Sequence, residues 1–289
     1  MQARFLLEQH QYALVDRHAV GEDACEGLPI KPLIPRVLGK LAPFMPGLLP
    51  VGPDAPYLEY LIDNIEQAGE GKKQHLLSAL LAVPKGVNPD SLQRHLTNRL
   101  VLHGPRDRYY LRYFDPRVFP HLAYRILTTK QIQCLFGPIT QWSFRFQSEW
   151  VTVSAPSEAG VIPLVWKAKA DQRAALDDVI LLNKALLQRK QALDQDWKSI
   201  DDWRAAMDAG VAALQVARNL FHLTQKDDIV AFICHALLHG EFFYQHGIIQ
   251  NLLKEAILPE QSYAGSAALL EEEDWAVIES ESRRQVIFR

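Results

Sequence analysis

Proline is spread so unevenly along this 289-residue chain that it decides where long helices can form. Fourteen of the seventeen prolines fall before residue 155, and only Pro156, Pro163 and Pro259 come after it. Proline removes a backbone donor and clashes with the preceding helical turn, so the first half must use short elements joined by turns. The second half is free to run in long helices. Charge changes at the same place: residues 1–155 carry 17 basic and 14 acidic side chains, whereas residues 156–289 carry 14 and 20. Two independent shifts predict a boundary in the stretch Ser154–Pro163, with a first lobe over 1–155 and a second over 156–289.

Within the first lobe, Gln11–Val15 and His75–Val83 are short apolar runs that read as buried strands. Asn88 followed by Pro89 predicts a capped helix start, and Leu92, Leu96 and Leu100 then give one apolar stripe. Arg99–His103 and Arg108–Phe114 flank Gly104–Asp107, which predicts a hairpin with a four-residue loop. Alternation along the second strand puts Tyr109, Leu111 and Tyr113 on one face, and Arg108, Tyr110, Arg112 and Phe114 on the other. Asp115-Pro116 is a second cap-plus-proline start, with Pro120 keeping that helix short. Thr129–Phe136 reads as a helix stopped by Gly137-Pro138, and Gln141–Val153 as one or two strands.

The second lobe reads as helices throughout: Ala170–Asp196, then a helix capped by Ser199 with Trp203, Met207, Val211, Leu214, Ala217 and Phe221 at spacings of three and four. Lys226–Gly240, Glu241–Leu258 and Ala267–Arg284 follow. The fold class this predicts is α+β, an N-terminal mixed α/β lobe with a small sheet followed by an all-helical C-terminal lobe.

Chemistry is harder to find. A net charge of -3 leaves no footprint for nucleic acid. Cys25, Cys134 and Cys234 are odd in number and far apart, which argues against a disulfide framework or a cysteine zinc site and for a reducing compartment. The first ten residues lack the apolar core of a secretory signal, and Ile30–Val51 is too broken by prolines to span a membrane. There is no Gly-x-Ser-x-Gly elbow, and Gly69-Glu-Gly-Lys-Lys73 lacks the spacing of a phosphate loop and reads as a solvated turn. His235 and His239 share a helix face, with Glu241 and His246 nearby. However, Ala236 stands where a zinc protease carries its general base, and Phe232 on the same face suits a half-buried histidine pair. Asp177-Asp178, Asp201-Asp202 and Asp227-Asp228 are sequence neighbours that do not face each other on a helix. No catalytic, cofactor or metal site is expected.

The block Tyr110-Leu-Arg-Tyr-Phe-Asp-Pro-Arg-Val118 stands apart. Tyr12–Asp16, Ala55–Leu58, Leu92–His95 and Phe136–Pro138 accompany it in order. Together these blocks resemble the type VI secretion effector adaptor/chaperone family (the Tap or TEC proteins) over residues 11–150, and more loosely over Asp227–Leu253. The Pro-dense stretch from Pro29 to Pro56 is longer than the family pattern. The resemblance implies a cytoplasmic, non-catalytic adaptor in bacterial competition. It would bind one cognate toxin effector one-to-one, help load it onto the VgrG spike, be a monomer when alone, and contact neither nucleic acid nor membrane. In that setting Tyr110, Arg112 and Phe114 are the effector-contact candidates, because Tyr and Arg are favoured interface anchors. Asp115, Pro116, Arg117, Gly137 and Pro138 read as folding elements. The alternatives are a structural part of a secretion or phage-like machine, or a diverged metal-dependent hydrolase built on His235 and His239.

Overall fold

The computed structural model describes residues 2–69, 75–104, 108–147, 149–157, 167–256 and 261–287. The turn at 69–73, the hairpin loop at 104–107 and the boundary at 154–163 lie wholly or partly outside them. The chain divides into two compact units, Met1–Leu176 and Asp177–Arg289.

The first unit opens with α1 (Gln2–Glu8), β1 (Tyr12–Val15), α2 (Arg17–Val20), β2 (Lys31–Pro32) and β3 (Gly47–Pro50). Next come α3 (Leu58–Gly69), β4 (Leu77–Ala82), α4 (Pro89–Arg99), β5 (Val101–His103) and β6 (Arg108–Tyr110). A short α5 (Phe119–His121) runs into a π-turn at Leu122–Ile126, and α6 (Thr129–Phe136), β7 (Gln141–Phe146) and β8 (Glu149–Ser154) complete the set. Six strands form one sheet in the order β2-β3-β1-β4-β7-β8, every pairing antiparallel, while β5 and β6 form a separate hairpin.

The central strands are apolar without alternation because both faces of the sheet are covered. Ala13, Val15, Leu49, Leu77 and Leu80 pack with Leu7 of α1 and Leu61 and Ile65 of α3. On β7, Trp142 and Phe144 project together. Trp142 stacks on Phe119 at 4.8 Å and meets Tyr113 edge-on at 5.6 Å and Phe136 at 5.7 Å. Asn88 caps α4 as expected, accepting from the amides of Asp90 and Ser91, and Leu92, Leu96 and Leu100 are fully buried. Pro120 sits in the first turn of α5, and the π-turn that follows closes with the Leu127 amide donating to the Leu122 carbonyl.

The second unit is helical: α7 (Ala170–Leu193, whose first turns belong to unit 1), α8 (Ile200–Asn219), α9 (Lys226–His239), α10 (Gly247–Glu255), α11 (Tyr263–Ala267) and α12 (Glu272–Ile287). Ser199 caps α8 through the Asp202 amide, and Trp203, Met207, Leu214 and Ala217 are buried, with Val211 and Phe221 partly so. Gly210 lets α8 lie close against its neighbours; a Cβ there would stand 3.3 Å from Leu182 and 3.4 Å from Ile233. The α+β class, with its sheet in the N-terminal half and helices after it, is what the proline distribution predicts.

Three expectations are corrected. The boundary falls at 176/177 rather than near 155, because the Ala168 amide bonds the His103 carbonyl and the Gln172 amide group bonds the Ile126 carbonyl, which ties this stretch to unit 1. Glu241–Leu258 is not one helix: a 3₁₀ turn at Phe243–Gln245 precedes α10, which starts at Gly247 under a His246 cap. The last helix starts at Glu272 rather than Ala267, where the separate α11 ends, and the acidic run opens it, where carboxylates suit the helix dipole.

Candidate functional site

The Tyr110–Val118 block is a tied turn. Strand β6 ends at Tyr110, and after Leu111 has donated to the Leu100 carbonyl the chain leaves the ladder and folds back, the Asp115 amide bonding the Arg112 carbonyl at 3.0 Å. The expected strand to Phe114 is therefore four residues too long. Its alternation fails for the same reason: Tyr113 and Phe114 both turn inward, at 0% and 1% exposure, drawn by the aromatic cluster. Phe114 is a core residue, which corrects its place among the surface-contact candidates.

Asp115 is the centre of the turn. Its carboxylate accepts from the Arg117 amide at 2.9 Å and from the Arg117 guanidinium at 3.0 and 2.8 Å, with Arg112 at 3.3 Å. Burial alone would raise its pKa, but hydrogen bonds from Arg117 and the charges of Arg117 and Arg112 outweigh it and hold the carboxyl below its usual range. Asp115 does what a capping residue does. The turn it caps, however, is Pro116–Val118, with Pro116 half-buried, and α5 begins only at Phe119 without a side-chain cap.

Arg112 extends the cluster across the sequence. Its guanidinium pairs with Asp16 at 2.9 Å, 96 residues away, and lies over the Phe114 ring at 5.4 Å. The other Asp16 oxygen accepts from the Ala19 amide and caps α2. Arg112 and Arg117 remain 40% and 74% exposed, so two cations sit over carboxylates that face inward. Tyr110 is half-buried, and its hydroxyl donates to the Phe44 carbonyl at 2.8 Å.

Gly137 and Pro138 form the turn that ends α6. Gly137 takes φ +58° and donates to the Gln133 carbonyl. A Cβ there would run into the His95 ring, 2.8 Å from Nδ1 and closer still to Cε1, so only glycine fits. His95 Nε2 in turn bonds the Leu135 carbonyl at 2.9 Å. Pro138 is half-buried and follows the glycine in the turn closed by the Ile139 amide on the Phe136 carbonyl.

In unit 2, His235 Nδ1 meets the Tyr263 hydroxyl at 2.8 Å. Trp275 of α12 lies 4.5 Å from the His235 ring and stacks on His239 at 4.3 Å with the planes 10° apart. Burial, then the neighbouring His239, pushes the His235 pKa down to about 4, which keeps the ring neutral. Both imidazoles face an indole. Among the described residues no three His, Cys, Asp or Glu side chains gather as a metal group.

The sequence reading missed two features. One is a Ser–His pair: His10 Nδ1 contacts the Leu6 carbonyl at 2.7 Å and Nε2 contacts Ser143 Oγ at 2.9 Å. That is the bonding order of a nucleophile and its base, but His10 is 2% exposed and Ser143 0%, so a substrate has no access and the pair ties α1 to β7. Their separation of 133 positions hides it from sequence. The other is the connection 33–46, which carries Ile34, Val37, Leu41 and Phe44 at 37–54% exposure. A run free of acidic residues, from Gly27 to Pro53, was the available signal.

No protein-family model, curated protein or solved structure matches this chain. No helix among the described residues is long and apolar enough to cross a membrane.

Proposed function

We propose that this chain is a cytoplasmic adaptor that holds one type VI secretion toxin and passes it to the VgrG spike, catalysing no reaction itself. The observation that carries this reading is that four of the five residue blocks behind the resemblance meet in two pairs. Asp16 of the first block bonds Arg112 of the fourth, and His95 of the third packs against Gly137 of the fifth. Tyr57 of the second bonds the Pro50 carbonyl at 2.7 Å, at the end of the strand beside β1. Blocks that serve one tertiary framework belong together, which supports reading them as one family pattern.

The framework also divides the roles. Asp115 and Gly137 hold the fold and the exposed Arg117 adds a weak brace, whereas Tyr110 and Arg112 brace it from the surface and keep part of their area for a partner. An adaptor must bind firmly and still release, which favours a moderate interface with a few anchors over a permanent one.

The test is a pull-down with the full chain followed by mass spectrometry, then co-expression with a captured toxin and a VgrG spike. A one-to-one complex of chain and toxin, from which added spike displaces the adaptor, is the expected result. A stable homo-oligomer that ignores the toxin would replace this reading with the structural-component one. About one zinc per chain, lost on His235→Ala, would replace it with the hydrolase one.

A further inference from the structure

The hairpin β2–β3 closes through Lys31↔Leu48 and Pro32↔Gly47, and the Leu33 amide adds a bond to the Pro46 carbonyl at 2.9 Å. The fourteen residues between the strands are long for a hairpin connection. This one is anchored at both ends by Leu33 and Met45, each 0% exposed. Between the anchors lies a 3₁₀ helix, Arg36–Phe44, kinked at Leu38, that buries none of its side chains. At about 2 Å rise per residue and with the kink at Leu38, it presents a bent ridge at most about 18 Å long.

Four of the thirteen large apolar side chains exposed among the described residues stand on this short stretch: Ile34, Val37, Leu41 and Phe44. Arg36 and Lys40 flank them, and neither makes an ion pair among the described residues. The ridge is also stiff. Pro35, Pro43 and Pro46 limit its backbone, the Tyr110 hydroxyl holds the Phe44 carbonyl, and the His18 ring packs edge-on against Phe44 at 4.5 Å. A preorganised apolar ridge loses little entropy on binding.

We infer that this ridge is a docking surface for an acidic, amphipathic segment of a protein partner. Charge decides the occupant: Lys31 at the foot of the ridge is taken up by Asp90 at 3.5 Å, but Arg36 and Lys40 on it have no carboxylate partner among the described residues, so the complementary surface has carboxylates beside an apolar stripe. A membrane is the poorer fit. Stable attachment of a helix to anionic lipid takes a long basic face or a second anchor, and each surface cation adds only about 1 kcal/mol. The size suits a cluster of protein anchors instead. Tyr110 is then a positioning residue, which joins the Tyr110–Val118 block to the surface that meets the partner. That the partner is a toxin rests on the adaptor reading; its chemistry does not.

The full chain is immobilised and offered a display library of helical segments with leucine at i, i+3, i+4 and i+7 and random Glu, Lys, Gln or Ser elsewhere. The selected segments carry Glu beside the stripe, weaken as salt rises, and lose about tenfold or more in affinity for the Val37→Glu/Leu41→Glu chain. Arg36→Glu/Lys40→Glu shifts the selection toward Lys. All four positions are exposed or at the surface, so the variants melt with the parent; one that does not is replaced by Val37→Ser/Leu41→Ser. Selection without charge bias, equal binding to the variants, or no selection at all overturns the inference. So does sedimentation of the chain with phosphatidylglycerol vesicles that the same substitutions abolish, which would assign the ridge to a membrane. None of these outcomes bears on whether the chain co-purifies with a toxin, so the two readings fail separately.

Discussion

In unit 1, Asp16, Arg112, Asp115 and Arg117 join segments 96 residues apart through ion pairs at a half-open surface. In unit 2, His235 and His239 lie one helical turn apart and share the cover of one indole. Both clusters hold residues that catalyse reactions in other proteins. In the first, charge specifies which distant segments meet, and the buried carboxylate accepts most of its hydrogen-bonding capacity from two arginines. In the second, burial neutralises the titratable groups and uses them as flat aromatic surface. What separates a folding device from a reactive site in both is where the polar atoms are directed, and here they are directed at their own chain.

The comparison can be broken at four points. Gly137→Ala is expected to have the largest effect, about 4 kcal/mol off unit 1, because the positive φ and the clash with His95 add. Denaturant titration measures it, and His95→Ala should recover only the clash. Asp115→Ala should cost about 2–3 kcal/mol, since it removes the cap of the turn and the charge-assisted hydrogen bonds from Arg117, while the arginines left behind are exposed enough to rehydrate. Its contribution is present above the ordinary carboxylate pKa and is lost as pH falls through the depressed folded value.

The third point is pH. The folded pKa of His235 is about 4, below the ordinary 6.5, so the unfolded chain takes up a proton first. Unit 2 should lose up to about 3 kcal/mol as pH falls from 6.5 toward 4, and hydrogen exchange resolved by unit should show that slope flattened in His235→Gln. His10 and His95, lowered by burial, give unit 1 a slope of the same sign that His235→Gln leaves untouched. The smallest effect is Arg117→Ala, at or below about 1 kcal/mol, because that side chain is 74% exposed and Arg112 still faces Asp115. A loss equal to that of Asp115→Ala would mean the exposed arginine, not the buried acid, organises the turn.

Local chemistry was readable in the sequence. Asn88 and Ser199 cap the helices they precede, Gly137 stops α6, and the Leu92–Leu100 stripe is buried, because each depends on a few neighbouring residues. What depends on distant partners was not. Strands β2 and β3 sit in a Pro-dense run whose pairing is supplied by β1, so proline masked them. Phe114 turns inward edge-on against Tyr113, which itself meets Trp142 29 positions on, and strand alternation cannot foresee that. The same holds for the candidate site. The Tyr110–Val118 block stood out as a string, but its bonds to Asp16 and to the Phe44 carbonyl, which give it a role, exist only in the folded chain.

The adaptor proposal holds that this chain delivers one toxin and is no part of the firing machine. The most direct measurement is quantitative mass spectrometry of secreted proteins from cells lacking the chain, with and without its restoration. The account predicts that a single toxin disappears from the medium and returns on restoration, while the spike and tube proteins are secreted at unchanged levels. Loss of the spike and tube together with every toxin, or no change in any of them, would contradict it.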